Sequence, residues 1–349
     1  MRKQWKKWAM GMLGASLALS LTACGGGSSS TQPAATPDKP AENTTSAPAA
    51  SEQKLRIGIT QIVEHPALDA AKKGFVDYLN ENGYKEGEQV TYDFQSAQGD
   101  MNTATTIAQK FSGDKVDLIL AIATPTAQAA AQATKEIPIL ITAVTDPVAA
   151  KIAASMDKPG ANVTGTSDMN PIKEQLSLIK EVKPEAKKVG VLYNSGETNS
   201  IVQIEQVKAH APELGFEIVE RAVTNSSEVK QAAESLSGID AIYVPTDNTV
   251  VSALDAVLMV AEKLKVPVIA GESESVKSGA LLTYGIDYYE LGRQTGEMAV
   301  RVLKGETKPA DMAIETQKNL QLFVNKKAAE RFGVTLPQQL LDQADEVIE

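Results

Sequence analysis

Two stretches carry the residues best placed for chemistry. The first is "ATPTAQAAAQ", 123–132, which follows the apolar run "VDLIL". Thr124 reads as the N-cap of a helix and Pro125 as its first residue. The opening turn of that helix then offers free backbone N–H groups and the positive end of the helix dipole, a site for a carboxylate. The alanines 127 and 129–131 make the helix thin enough to lie close on a sheet. The second stretch is "VPTDNTVVSAL", 244–254, where Asp247 should cap another helix. Its carboxylate could also take an ammonium. An anion site facing an acid suits a small zwitterion such as an amino acid. The bland alternative is a pair of ordinary capped helices.

Other chemistry is poorly supported. The sequence has no G-x-S-x-G, H-E-x-x-H, Walker or G-x-G-x-x-G motif, and no evident nucleophile–base pair, so no catalytic residue and no cofactor is expected. His65 is one of two histidines, with no second His or Cys nearby, and suits capping or lining a helix better than holding a metal.

The elements that would position these groups alternate along the chain. "LRIGIT" leads to "HPALDAAKKGFVDYLNENG", "VDLILAIA" to "TAQAAAQATK", and "IPILITAV" to "DPVAAKIAAS". Strands apolar on both faces and joined by helices imply parallel sheets covered on both sides, an α/β class. A weak repeat refines this. "LRIGITQI", "DLILAIATPT" and "IPILITAV" are echoed by "KKVGVLYN", "DAIYVPTDNT" and "VPVIAGES" at offsets of 132, 123 and 129 residues. Two doubly wound lobes follow. Ligands of such sheets bind beyond the carboxyl ends of the strands, and the segments there, "TQIVEHP", "ATPTA", "TAVTDP", "YNSGETNS", "PTDNT" and "GESES", are all polar.

The N-terminus is of a different kind. "MRKQWKKW" is basic, a short apolar stretch follows, and "LTAC" closes it, in the pattern of an export signal. "LTAC" resembles the lipobox of bacterial lipoproteins, which implies cleavage before Cys24 and lipidation of that residue. Cys24 is the single cysteine, so no intrachain disulfide can form. Residues 25–52 are rich in Gly, Ser, Pro, Thr and Ala and read as a tether, with a reach of roughly 30 Å. Loss of Arg2, Lys3, Lys6 and Lys7 with the signal takes the formal charge from −10 to −14. Such a surface suits neither nucleic acid nor an anionic membrane, and the lipid should be the only membrane link.

Several stretches together resemble the substrate-binding lipoproteins of ABC importers, more closely the tryptophan/tyrosine-type subfamily. They are "IGITQIVEHPALDAAKKGF", "AIATPTAQAA", "ITAVTDPV", "PGANVTGTSD", "VGVLYNSGETNS", "AIYVPTDNTVVSAL" and "GIDYYELGRQTGEMAVRVL". The resemblance runs from Leu55 to about Pro337. It implies a type I periplasmic-binding fold, two lobes joined by three crossings that close on ligand by hinge motion. Lobe one would be 55–166 plus 282–312, and lobe two 167–281 plus 313–342. It also implies partners, an ABC permease and its ATPase, and a location on the outer face of the cytoplasmic membrane. A ligand sensor signalling to a membrane receptor is the rival, since one fold serves both.

Carried over, Thr124 and Thr126 would hold the ligand carboxylate, and Asp247 its ammonium, with help from Asn248. Gln61, Asp146, Tyr193, Asn194 and Glu272 would line the pocket. Tyr193 could stack on a ligand ring or simply pack at the lobe edge. Asp146, followed by proline, could equally start a turn. Only 5% of the residues are aromatic, which argues against a rich aromatic cage.

Overall fold

The structure, a computed structural model, describes residues 54–317 and 319–349. The export signal, Cys24 and the tether expected over 25–52 lie outside them. None of the described helices is long and apolar enough to cross a membrane.

The chain builds a first sheet from β1 (Leu55–Gln61), β2 (Val90–Ser96), β3 (Leu118–Ile122), β4 (Ile139–Val144) and β5 (Val163–Ser167). It crosses to a second sheet and lays down β6 (Lys188–Asn194), β7 (Glu217–Val223), β8 (Ala241–Val244), β9 (Val268–Ala270) and β10 (Leu282–Gly285). Helix Tyr288–Leu303 returns to the first lobe, which gains β11 (Glu315–Thr316) before β12 (Gln321–Asn325) and β13 (Glu346–Ile348) complete the second. The orders are β11-β5-β4-β3-β1-β2 and β13-β12-β10-β9-β8-β6-β7. All neighbours run parallel except β10 and β12. Each sheet has its own buried apolar core. This is the expected two-lobed α/β fold with three crossings.

The crossings fall a few residues from their expected places. Leu282–Gly285, expected in lobe one, pairs with β9 and β12 of the second sheet. Lobe one resumes at Ile286, whose side chain is in its core. Glu315–Thr316, expected in lobe two, pairs with β5. Lobe two also runs past residue 342, since β13 pairs with β12. A strand of two to four residues has too little pattern to declare its sheet, and only its pairing partner decides.

The return helix is held close. An added Cβ at Gly292 would stand 2.0 Å from the Ala71 carbonyl oxygen, and one at Gly74 would stand 2.0 Å from that of Tyr289. Helices Pro66–Glu81 and Tyr288–Leu303 therefore touch backbone to backbone. The second ends at Leu303, with Lys304 as its C-cap and Gly305 at φ 70°, a Lys-Gly pair that stops a helix by its own local chemistry.

Candidate functional site

The carboxyl ends of both sheets face one another across a cleft. At its floor lie two of the crossings, and one acid ties them together. Asp168, just after β5, accepts from Thr145 Oγ1 at 2.9 Å and from the Tyr288 hydroxyl. Burial raises the Asp168 pKa above the usual carboxylate range, and burial with the Asp168 charge raises that of Tyr288. On the second-lobe side, Gln175 donates to the Gly271 and Tyr284 carbonyls and accepts from Tyr243 Oη at 2.6 Å. The floor is thus a buried polar network with fixed geometry.

Above it the lobes enclose a narrow central cavity of about 10 Å³, whose walls include His65, Asp168, Asp247, Asn248, Glu272 and Tyr288. A side chamber of about 220 Å³ shares His65 and Glu272 with it. An outer hollow of about 350 Å³ shares Asn248 and is bounded by Pro125, Asn194 and Glu197.

Asp247 caps helix Asn248–Ser252, as its sequence suggests, with Oδ1 accepting from Val250 N–H at 2.7 Å. Its other oxygen accepts from the Asn194 N–H at 2.5 Å and Ser200 Oγ at 2.6 Å, clamping β6 to two helices. Full burial raises its pKa, and the Glu197 charge raises it further. Glu272 caps helix Ser273–Lys277 through Glu274 N–H and Ser275 N–H, and burial pushes its pKa up to about 7. Glu197 gathers the surrounding amides and a hydroxyl, accepting from the Asn199 amide at 3.0 Å, Thr249 Oγ1 at 2.9 Å and the Asn248 amide.

His65 precedes helix Pro66–Glu81 without capping it. Only 8% exposed, it has no hydrogen-bond partner at either ring nitrogen among the described residues. Burial pulls its pKa down to about 4, against the opposing pull of the Asp69 carboxylate and the nearby Asn248 side chain. At neutral pH it is an uncharged imidazole.

Other expected residues sit differently. Thr124 is the first residue of helix Thr124–Ala133 and not its N-cap. That place belongs to Ala123, at φ 80° and ψ 154°. A non-glycine residue there costs about 1–3 kcal/mol, a strain typical of sites where backbone direction matters. No side chain caps the helix, and the buried Thr124 hydroxyl has no partner. Thr126 turns its hydroxyl back onto the Ile122 carbonyl at 2.6 Å, away from the cleft. Gln61 is buried behind the cleft, donating to Val63 O and Asp69, with Oε1 unpartnered. Asp146 holds a turn through Val148 N–H and Ala149 N–H, both at 2.9 Å, and borders none of the three hollows. Tyr193 packs against the second-lobe core, its hydroxyl on Glu220 at 3.2 Å, also outside them. Adjacent strand residues face opposite sides, so Asn194 at the strand end reaches the hollow while Tyr193 does not.

Sequence reasoning passed over Asp168, Tyr288, Glu197 and Asn199 as site residues. Asp168 lies in "NVTGTSD", read only as a crossing, although a crossing runs along the cleft floor. Glu197 stands in the cleft loop "YNSGETNS" and could have been singled out as its one acid.

The family model for ABC transporter substrate binding proteins matches residues 56–348. The chain belongs to that family. It is thus a substrate-binding protein and not an enzyme. It is 50% identical over 277 residues to a tyrosine-binding protein of Clostridioides difficile, covering 79% of this chain and 80% of that one. A domain from Streptococcus pneumoniae solved in complex with L-Trp is 39% identical, covering 85% of this chain and all of that one, with a TM-score of 0.81. A ligand-free, open substrate-binding protein with adhesive properties from Clostridium difficile is 49% identical, covering 84% and 99%, with a TM-score of 0.64.

Proposed function

We propose that the protein captures a free aromatic amino acid, tyrosine, tryptophan or phenylalanine, between its lobes and delivers it to an ABC permease. The observation that carries this reading is the cavity at the hinge, where buried Asp168, Asp247 and Glu272 converge with polar groups that have no protein partner. Buried acids above their usual pKa are stabilised by an arriving ammonium. Asp247 and Glu272, with Asn248, would take that group. The uncapped first turn of helix Thr124–Ala133, beside the Thr124 hydroxyl, would take the carboxylate.

Support for closure comes from the relatives. The chain superposes better on the L-Trp complex at 39% identity than on the open, ligand-free protein at 49%. A hinge rotation lowers a whole-chain superposition while leaving each lobe intact, and the difference supports a closed arrangement of the lobes. Delivery fits an extracytoplasmic body tethered through a lipidated Cys24, beyond the described residues.

A thermal-shift screen of the body against the common amino acids tests the reading. A ligand bound only by the folded state stabilises it by about 2.7 kcal/mol at a hundredfold excess over Kd. An aromatic amino acid should give the largest shift. A panel in which only sugars or metal ions raise the Tm refutes it.

A further inference from the structure

The side chamber is built differently from the central cavity. Pro66, Ala67, Val251 and Leu254 supply apolar walls. Glu64, Asp255, Glu272 and Glu274 supply acids, and no lysine or arginine lines it. An apolar slot of about 220 Å³ accepts a ring. A carboxylate rim accepts hydrogen bonds and offers none when ionised. His65 lines both the chamber and the cavity, buried, with both nitrogens unpartnered among the described residues. Buried polar atoms in folded proteins nearly always have partners, and this imidazole leaves two without one among the described residues. Glu64 is engaged by Gln98 and Glu274 by Lys277, at 3.3 Å and 2.8 Å, and Glu272 by its own helix cap. His65 is the buried titratable group of the chamber whose ring nitrogens take no protein hydrogen bond among the described residues.

Resting on the amino-acid reading above, we infer that the chamber receives the ligand's side chain and that His65 selects a ring carrying a hydrogen-bond donor. A phenol O–H or indole N–H can donate to the bare ring nitrogen, whereas a plain phenyl ring leaves it unpaired. The neutral form needed for acceptance is the one burial enforces. The same rim turns away acidic side chains by like-charge repulsion. A site built around a buried polar partner discriminates against an analogue lacking the matching group more strongly than an apolar pocket does.

Calorimetric titration of the protein with two matched pairs tests this: L-tyrosine against L-phenylalanine, and L-tryptophan against its 1-methyl derivative. The donor-bearing member of a pair should bind at least about tenfold tighter. In His65→Leu the ratio should collapse to within about threefold, mainly by loss of the donor-bearing ligand, while phenylalanine affinity holds. His65→Gln, which can accept a hydrogen bond, should restore part of the ratio. Ratios unchanged in His65→Leu overturn the inference and leave the amino-acid reading standing. Loss of all four ligands equally in a folded His65→Leu also overturns it, because the residue would then serve the cleft as a whole. If none of the four binds the unaltered protein, the amino-acid reading falls and the inference with it.

Discussion

Replacing Asp247 by asparagine separates two roles that its sequence position merges. As a helix cap alone, asparagine serves as well as aspartate and folding should be untouched. The structure gives Asp247 three protein donors, Val250 N–H, Asn194 N–H and Ser200 Oγ, at 2.5–2.7 Å. Asparagine keeps one acceptor oxygen. In either orientation its amide NH₂ must face a backbone N–H, of Asn194 or of Val250. The loss of a hydrogen bond to a charged acceptor costs about 1.5–3 kcal/mol, and a buried N–H left unpaired costs about 1–3 kcal/mol. Removing an acid that burial and Glu197 already disfavour offsets part of this. A net loss of about 2 kcal/mol should remain, or roughly 4–8 °C in Tm. Calorimetric scanning of Asp247→Asn measures it. Three of about four acceptor positions are filled by protein, which leaves one for a ligand ammonium, so tyrosine affinity should fall about tenfold to a hundredfold as well. A variant that melts with the unaltered protein would refute the clamp and leave Asp247 a cap and ligand contact only.

Glu272 sets a pH dependence. Its folded pKa of about 7 lies above the ordinary 4.5, so the folded state holds a proton that the unfolded chain has released. The stability this contributes is full at low pH and is lost as pH rises through 7, a change of about 3 kcal/mol. Glu272→Gln should flatten the fall in stability between pH 5 and pH 8 in urea denaturation; an unchanged slope counts against the assignment. Gly292→Ala should destabilise the protein by about 3 kcal/mol, since the new methyl meets the Ala71 carbonyl, and the urea midpoint reports it. Cys24→Ala should abolish lipidation, and normal maturation with unchanged membrane fractionation would exclude the anchor.

Much of the architecture was legible in the sequence because parallel strands announce themselves. "VDLILAIA" and "IPILITAV" are apolar apart from Asp117 and Thr142, as strands covered on both faces tend to be, and the repeat order implied two lobes. Asp247 was legible for a local reason: an acid three residues before an amide it caps needs no tertiary partner. The Lys304-Gly305 helix stop was local too. What lay beyond the sequence was everything fixed by pairing or facing. Leu282–Gly285 joined the second sheet because β9 and β12 flank it there. Tyr193 and Asn194 are neighbours in sequence, yet one reaches the core and the other the cleft. Thr124 ceded the cap to Ala123, whose strained backbone no composition rule anticipates. His65 looked inert as one of two histidines, and Asp168 looked like part of a connector. Their roles arise from burial at the meeting of two lobes, where desolvation moves a pKa and leaves ring nitrogens without partners. Those forces depend on what surrounds a group in three dimensions, and the order of residues along the chain does not carry them.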